Sequence, residues 1–567
     1  MQESAQDVVF TIPELVALIA QYLSPRDTSQ WMMTCKTFSR QLEPLFWSHP
    51  VVMRTTRDPS SLVRHTHHFR SLIIEHDLWL SFIKDAPPSP SRTTSHGPSV
   101  RQGFPRLRKL TVYANRDDVP LTPNFVLALC QSLHLTDLSI QYPFRQEPLF
   151  MELILASLAT GLPCLQRLLI ELEEADPATG FRLLDLCFKH PQLIDLQCDF
   201  PMYEERSITD EHGICDPRFA TLLKSLQDMD KARQGAGRPT GLHLKSLSLP
   251  YIEDGYPKDF LIPFLKLHVP NLERWRIVDM HTLDTVDVQG FKEAIATGCP
   301  GLQHLSSHSV YMRRRCNTLI NATIRSVTKA SLRSYRFKCF SNSRHMSEDS
   351  PVIRNLLEHH ASTLEEIEFL EFFFMKSEDL QSIFTTCKHL RTLRMEQSDT
   401  ISSGSSLEFG HVFKEWACRD ITVLHLWLNR KVVVPEGWTE DEVVDAAAQT
   451  IYSQIGRLFK LEELALGWPN LRRYLNPAEK HRVHDLTLED GWLDELAGLK
   501  ELRHFQMNTE YWCCMGQAEL DFMGTNWPKL ERISFDYVEW ETQFALRNHW
   551  NQLKKTSHLD MSRITIR

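Results

Sequence analysis

The chain has no uninterrupted apolar run of about eighteen residues, so a membrane-spanning helix is not expected. Its opening stretch, MQESAQDVVF, has no basic region followed by an apolar segment, which argues against a secretory leader. Three catalytic signatures are missing: a Gly-rich Walker loop, a His-Glu-x-x-His helix and a Gly-x-Ser-x-Gly elbow. Zinc-type cysteine spacing is missing too, because Cys513 and Cys514 are adjacent and no second pair follows them. His65, His67 and His68 lie between Arg64 and Arg70 and read as solvated linker residues, while Glu365, Glu366 and Glu368 read as strand and rim charges. No residue has a claim to be a nucleophile, so neither an enzyme nor a resident metal or cofactor is expected. Positive charge is not in excess: the net charge of -9 disfavours general nucleic-acid binding. The 13 cysteines are odd in number and scattered, which reads as reduced thiols in the cytoplasm or nucleus rather than a disulfide framework.

What the chain has in abundance is one phrase. Leu-x-x-Leu-x-Leu, with Ile, Val, Phe, Trp, Tyr or Met allowed, opens at Phe69, Leu107, Leu135, Leu165, Leu193, Leu244, Leu272, Leu302, Leu332, Leu364, Leu390, Ile421, Leu461, Leu502 and Leu530. Most steps run from 26 to 32 residues, enough for a strand and a helix in each repeat. Four are longer, at 38 (69 to 107), 51 (193 to 244), 40 (421 to 461) and 41 (461 to 502), and mark insertions. Side chains alternate along a strand, so the fourth and sixth residues of the phrase point into one core. Between the strands, FKEAIATGCPGLQHL, SEDLQSIFTTCKHLRTL and PVIRNLLEHHASTLEEI place apolar residues three and four apart, the stripe of a helix that can lie on the strands. One repeat alone would leave that face wet, whereas stacked repeats bury it continuously. The expected fold is an α/β leucine-rich-repeat solenoid, with a curved parallel sheet on the concave side and helices on the convex side. A helical-repeat protein with chance Leu pairs is the plainer alternative.

A Pro or Cys recurs just before the opening Leu, in FPRL, LPCL, HPQL, VPNL, CPGL, TCKHL and WPKL. Proline suits a junction where a helix ends. These ends resemble the cysteine-containing leucine-rich repeats of F-box proteins.

The segment ahead of the repeats, FTIPELVALIAQYLSPRDTSQWMMTCKTFSRQLEPLFW at 10–47, has its own logic. Pro13 suits a first helical position and Glu14 would meet the positive end of the helix dipole. Leu15, Leu18, Ile19, Tyr22 and Leu23 form one stripe. Ser24 can cap a second helix, with Pro25 at its first position and Asp27 completing a capping box. Trp31, Met32 and Cys35 belong to that helix, and Phe38, Leu42, Leu45 and Phe46 to a third. Three short helices cannot bury this much apolar surface by themselves, so a partner is implied.

The order Ile12-Pro13, Glu14-Leu15, Tyr22-Leu23, Ser24-Pro25 with Asp27, Cys35-Lys36 and Phe46-Trp47 resembles an F-box. That resemblance implies docking to a small Skp-family adaptor, and through it to a cullin-RING ubiquitin ligase, led by Ile12, Pro13, Leu15, Ile19 and Leu23, with Pro25 and Trp31 beside them. Ile12 replaces the usual Leu and Phe38 a common Trp, both of similar character, while Thr28 stands where Leu is usual and would weaken docking. The plainer alternative is that the helices cap the open end of the solenoid.

The resulting organisation is a tail at 1–9, the F-box at 10–47, a linker at 48–68 and the repeat domain at 69–567, with insertions near 85–105, 203–241 and 430–444. Ser89-Pro90 in the first insertion is a potential phosphate acceptor. The third, fifth and seventh residues of each phrase should face outward. Early repeats offer Arg167, Leu169, Glu171, Asp195, Gln197 and Asp199, a mainly acidic surface. Later ones offer Arg274, Arg276, His304, His308, Arg336 and Lys338, a candidate basic patch for an acidic or phosphorylated target. Glu366 and Glu368 follow it, and Val423, His425, Trp427 and Trp468 suggest an aromatic region. Ordinary mixed surface charge is the plainer reading of the patch. The expectation is a substrate receptor of a ubiquitin ligase, cytoplasmic, nuclear or both. The alternatives are a repeat scaffold that transfers no ubiquitin and an inhibitor that covers its target.

Overall fold

The computed structural model describes residues 16, 19–20, 23, 25–34, 36–52, 65–75, 104, 106–113, 134–141, 148–171, 177–199, 218–237, 241–249, 258–278, 288–309, 314–339, 351–371, 376–395, 407–408, 414–429, 434, 436–467, 486, 488, 492–508, 517–536 and 565–566. It divides into two compact units, 1–272 with 280–283, and 273–279 with 284–567.

In the first unit Val16, Ile19 and Ala20 are helical and precede α1 (Pro25–Thr34) and α2 (Lys36–Phe46), which are followed by the strands β1 (Val51–Val52), β2 (Ser71–Glu75), β3 (Lys109–Tyr113) and β4 (Asp137–Gln141). Then α3 (Pro148–Gly161), β5 (Arg167–Glu171), α4 (Pro177–Lys189), β6 (Asp195–Asp199), α5 (Arg218–Gly235), β7 (Ser246–Ser248) and α6 (Lys258–His268) complete it. Proline begins α1, α3 and α4, where its fixed φ suits the first turn and its missing N–H costs nothing. The strands pair in parallel and in sequence order, each register matching the same position of the phrase: Leu110 to Leu138, Leu138 to Leu168, Leu168 to Leu196. The fourth and sixth positions, Leu72 with Ile74, Leu110 with Val112, Leu138 with Ile140 and Leu168 with Ile170, are buried, and their neighbours in the strands reach solvent to varying degrees.

The second unit repeats this scheme. Its elements are β8 (Arg274–Val278), α7 (Val288–Gly298), β9 (His304–Ser309), α8 (Arg314–Ser326), β10 (Ser334–Cys339), α9 (Pro351–His360), β11 (Glu366–Glu371), α10 (Ser377–Thr386), β12 (Thr392–Met395) and β13 (Leu407–Glu408). They continue with β14 (Val423–Asn429), α11 (Glu440–Gly456), β15 (Glu463–Gly467), α12 (Trp492–Glu495), β16 (His504–Asn508), α13 (Gln517–Asn526), β17 (Arg532–Asp536) and β18 (Thr565–Ile566). Parallel pairing again runs from repeat to repeat, with β13 lying beside the far end of β14 while β12 pairs its near end. Helix α11 starts on a reciprocal cap in which Thr439 and Glu442 satisfy each other's backbone N–H groups.

All fifteen opening residues of the phrase are buried, from Phe69 to Leu530. Cys299 and Cys387 are buried at helix-to-strand junctions and Cys418 just ahead of β14, whereas Cys164 of LPCL is exposed. Histidine serves at two other junctions. The Nε2–H of His190 donates to the Leu158 carbonyl (3.1 Å) and that of His360 to the Ile324 carbonyl (2.9 Å), each tying a junction to the helix of the preceding repeat. In the insertion at 203–241, α5 is held by Asp230, whose Oδ2 lies 2.6 Å from Nδ1 of buried His268 and whose Oδ1 accepts the Gly241 N–H (3.0 Å). Gly241 has φ +82°, and a Cβ there would meet Pro270 at 2.8 Å, so both the backbone and the space require glycine.

Candidate functional site

Two regions bear on function, the helical N-terminal end and the outward face of the second unit's sheet. At the N-terminal end, α1 and α2 pack on each other with Leu42 and Val16 fully buried. Thr28 is buried as well, at 6% exposure, so its polarity falls inside the helical packing. Of the expected adaptor contacts, Ile19, Leu23 and Trp31 are half-buried, and Pro25 begins α1. Ile12, Pro13 and Leu15 lie outside the described residues. Met33 is 77% exposed and Leu45 37%, leaving apolar side chains of both helices in water. Val16, within the F-box-like stripe, was not singled out by spacing because Leu15 and Leu18 drew the pattern away from it.

The described residues 48–52 of the linker are tied into the sheet. The Ser48 carbonyl accepts the N–H groups of Arg70 (2.8 Å) and Ser71 (3.0 Å), the Pro50 carbonyl accepts that of Ile73 (3.1 Å), and β1 pairs with β2. Only a single residue separates α2 from Ser48, so the helical end runs directly into the repeat ladder.

On the second unit's sheet the register settles which charges meet. Arg274 pairs with His304, and Arg276 with Ser306, which in turn pairs with Arg336. Arg336 pairs with Glu368 and Glu368 with Arg394. Glu368 is only 9% exposed at its side chain and meets the Arg336 Nε closely, with an Arg394 nitrogen at 3.8 Å. Arg394 also reaches Glu463 at 3.4 Å, and Glu463 accepts from His425 Nε2 at 2.8 Å. The hydrogen bond from His425 holds the Glu463 carboxyl below the usual carboxylate range. Burial, with Arg274 close by, pushes the His304 imidazole below its ordinary value. The outward face therefore carries an alternating cation–anion network, with Arg274 and Arg336 exposed and Arg276, His304 and Lys338 half-buried. Arg394 and Glu463, which complete it, occupy the fifth and third places of their phrases, so the sequence already carried their signal.

Trp427 is half-buried and fixed from two sides. Its Nε1–H donates to the Met395 carbonyl (2.7 Å), and its ring lies over Gly467 of the paired strand. In the first unit Arg167 lies 3.5 Å from Asp137, and burial raises the Glu171 carboxyl. The side chain of His308 and all of Trp468, Cys513 and Cys514 lie outside the described residues. Burial pushes the Cys187, Cys299, Cys387 and Cys418 thiols up to about 12, the behaviour of packing residues rather than nucleophiles. Among the described residues one trio, Glu43, His65 and His68, brings metal-ligating atoms within 4.8 Å of one another. No helix among them is long and apolar enough to cross a membrane.

Parallel strands in register, a strand on every phrase and buried opening residues define a leucine-rich-repeat fold. No protein-family model and no curated protein sequence matches the chain. Among solved structures it is similar to the leucine-rich repeat-containing protein LegL7 from Legionella pneumophila, at 11% identity and a TM-score of 0.26, covering 51% of this chain and 92% of that one. It is also similar to the complex of Rad7 and Elc1 in yeast, at 12% identity and a TM-score of 0.30, covering 67% and 72%. At those scores the fold assignment rests on the register and the repeat rather than on either likeness.

Proposed function

We propose that the chain is a non-catalytic protein-binding receptor whose helical N-terminal end docks a Skp-family adaptor, and through it a cullin-RING ubiquitin ligase, while the repeats hold a protein target. The observation that carries this reading is the F-box-like end itself. Its inward residues are sealed, yet Met33 and Leu45 remain in water where a partner would cover them. The direct run of α2 into the sheet supports it further, because a receptor of this kind contributes only position. A target held on a stiff support raises the effective concentration of its lysines near a charged conjugating enzyme, with no chemistry from the receptor. The network around Glu368 offers the target paired charges rather than a bare cationic patch, which favours a face of mixed charge over a phosphate group. A repeat scaffold that transfers no ubiquitin is the second reading, favoured by the buried Thr28 and Val16, which also suit an end cap.

Co-expression with a Skp-family adaptor tests the first reading, using the intact chain beside a Pro13→Ala, Leu15→Ala variant. Stoichiometric co-purification that is lost in the variant supports the ligase receptor. Failure of the well-folded intact chain to capture the adaptor leaves a scaffold with a capped end.

A further inference from the structure

We propose that Glu43, His65 and His68 form a binding site for a divalent transition-metal ion of the zinc type, which clamps helix α2 to the turn that leads into strand β2. The site arises from local geometry. Residues 66–68 form a 3-10 turn, and the His68 N–H donates to the His65 carbonyl at 2.9 Å. In such a turn side chains three apart eclipse one another, so His65 and His68 fall on the same side. That side faces Glu43 on α2, whose Oε1 lies 2.9 Å from His65 Nδ1. One ligand atom from each of the three lies within 4.8 Å of the other two, and all three residues are half-buried. Metal–ligand bonds of about 2.0–2.2 Å place ligand atoms within that limit of one another.

Two further observations favour an ion over a plain ion pair. The His65 ring is stacked on Trp47, with centroids 4.5 Å apart and planes 6° apart, so its orientation is fixed before any ligand arrives. Nδ1 of His68 is buried without a hydrogen-bond partner among the described residues, and a buried polar atom in that state is costly unless something satisfies it. Two imidazoles and one carboxylate form a donor set suited to zinc, nickel or copper rather than to calcium or magnesium. Three protein ligands leave a fourth position for water. Because the ligands come from α2 and from the turn before β2, the bound ion would add a second tie beside the Ser48 carbonyl. The site stands independently of adaptor binding.

The untagged, chelator-treated full chain is titrated with cobalt(II) and zinc(II) alone, following ligand-field absorption and the thermal midpoint. The expected result is one equivalent of cobalt in a tetrahedral-type spectrum, displaced by zinc, with a rise in the midpoint. Glu43→Gln and His68→Gln should weaken binding by more than about 100-fold, since even second-shell partners of a metal are worth about 10–100-fold. His68→Cys replaces one ligand by another, so it should retain the ion with a shifted spectrum and keeps the test decisive if His68→Gln folds poorly. His243→Ala, at an exposed histidine elsewhere in the same unit, should leave binding unchanged. Absence of ligand-field bands in the intact chain, or binding that is indifferent to both Glu43→Gln and His68→Gln, overturns the proposal.

Discussion

Replacing Gly467 by Ala tests how the outward face is built. Gly467 is not among the described glycines with positive φ, so alanine is acceptable to the backbone and the glycine is there for space. A Cβ at this position would lie 2.5 Å from Cε3 and 2.6 Å from Cζ3 of Trp427, well inside contact distance. The indole cannot simply slide away, because its Nε1–H is committed to the Met395 carbonyl at 2.7 Å. Overpacking of this kind costs about 1–3 kcal/mol. Losing the indole hydrogen bond adds about 1 kcal/mol. Gly467→Ala should therefore destabilise the chain by about 2–4 kcal/mol, read as a lowered urea midpoint and as faster amide exchange in β14 and β15. In a Trp427→Ala background the methyl has room, so most of that cost should vanish and the double-mutant cycle should show a coupling of about 1–3 kcal/mol. A Gly467→Ala chain within about 0.5 kcal/mol of the parent, or an equal cost in the Trp427→Ala background, would refute the packing argument. The cycle also separates two roles of Trp427, since a loss of target binding on its removal is meaningful only after its structural cost is known.

Three further outcomes follow from the same geometry. Glu368→Ala removes the anion between Arg336 and Arg394 and should cost about 1–2 kcal/mol in chemical denaturation, the modest size reflecting two half-exposed arginines; Glu368→Gln should cost less. His190, His268 and His360 are held below their ordinary value of 6.5, chiefly by burial, so the fold prefers them neutral and the unfolded chain binds protons first. Stability should thus be full above about pH 6.5 and fall as pH drops below it, by at most about 1.4 kcal/mol per pH unit for each histidine; thermal midpoints from pH 7.5 to 5 would show the slope, and His360→Gln should reduce it. At pH 8 the four thiols raised to about 12 should alkylate roughly a thousandfold more slowly than an ordinary thiol, while exposed Cys164 labels readily, as peptide mass spectrometry of the native chain would show.

The repeat was legible because its signal is local. Each phrase carries its own strand, and the burial of Leu107, Leu302 or Leu502 needs only the neighbours that the phrase itself supplies. The outward network was half legible. Arg336 and Glu368 were visible as charges at matching places of neighbouring phrases, but the pairing of β14 with β15 that brings His425 to Glu463 lies across the long step at 421–461. Arg394 and Glu463 meet although 69 residues apart, because β13 and the chain around it leave β12 next to β14. Histidine at the junctions escaped notice for a different reason: a search for Pro and Cys finds residues that end a helix, whereas His190 and His360 serve by reaching a carbonyl of the preceding repeat. The stacking of Trp416 on Phe384, with centroids 4.0 Å apart, likewise joins residues no local pattern connects. His65 and His68 looked like solvated linker residues because spacing cannot show that a 3-10 turn folds them back on Glu43 of a helix.

Strands β1 and β18 contain two residues each, and among the described residues β1 pairs with β2 and β18 with β17. A parallel ladder is a template for more of itself, and a long flat terminal strand invites another copy to continue it. Among the described residues each of these strands presents two residues to such a newcomer, a short template for growth. Brevity of this kind withholds a template for edge-to-edge joining, a protection written in strand length rather than in charge.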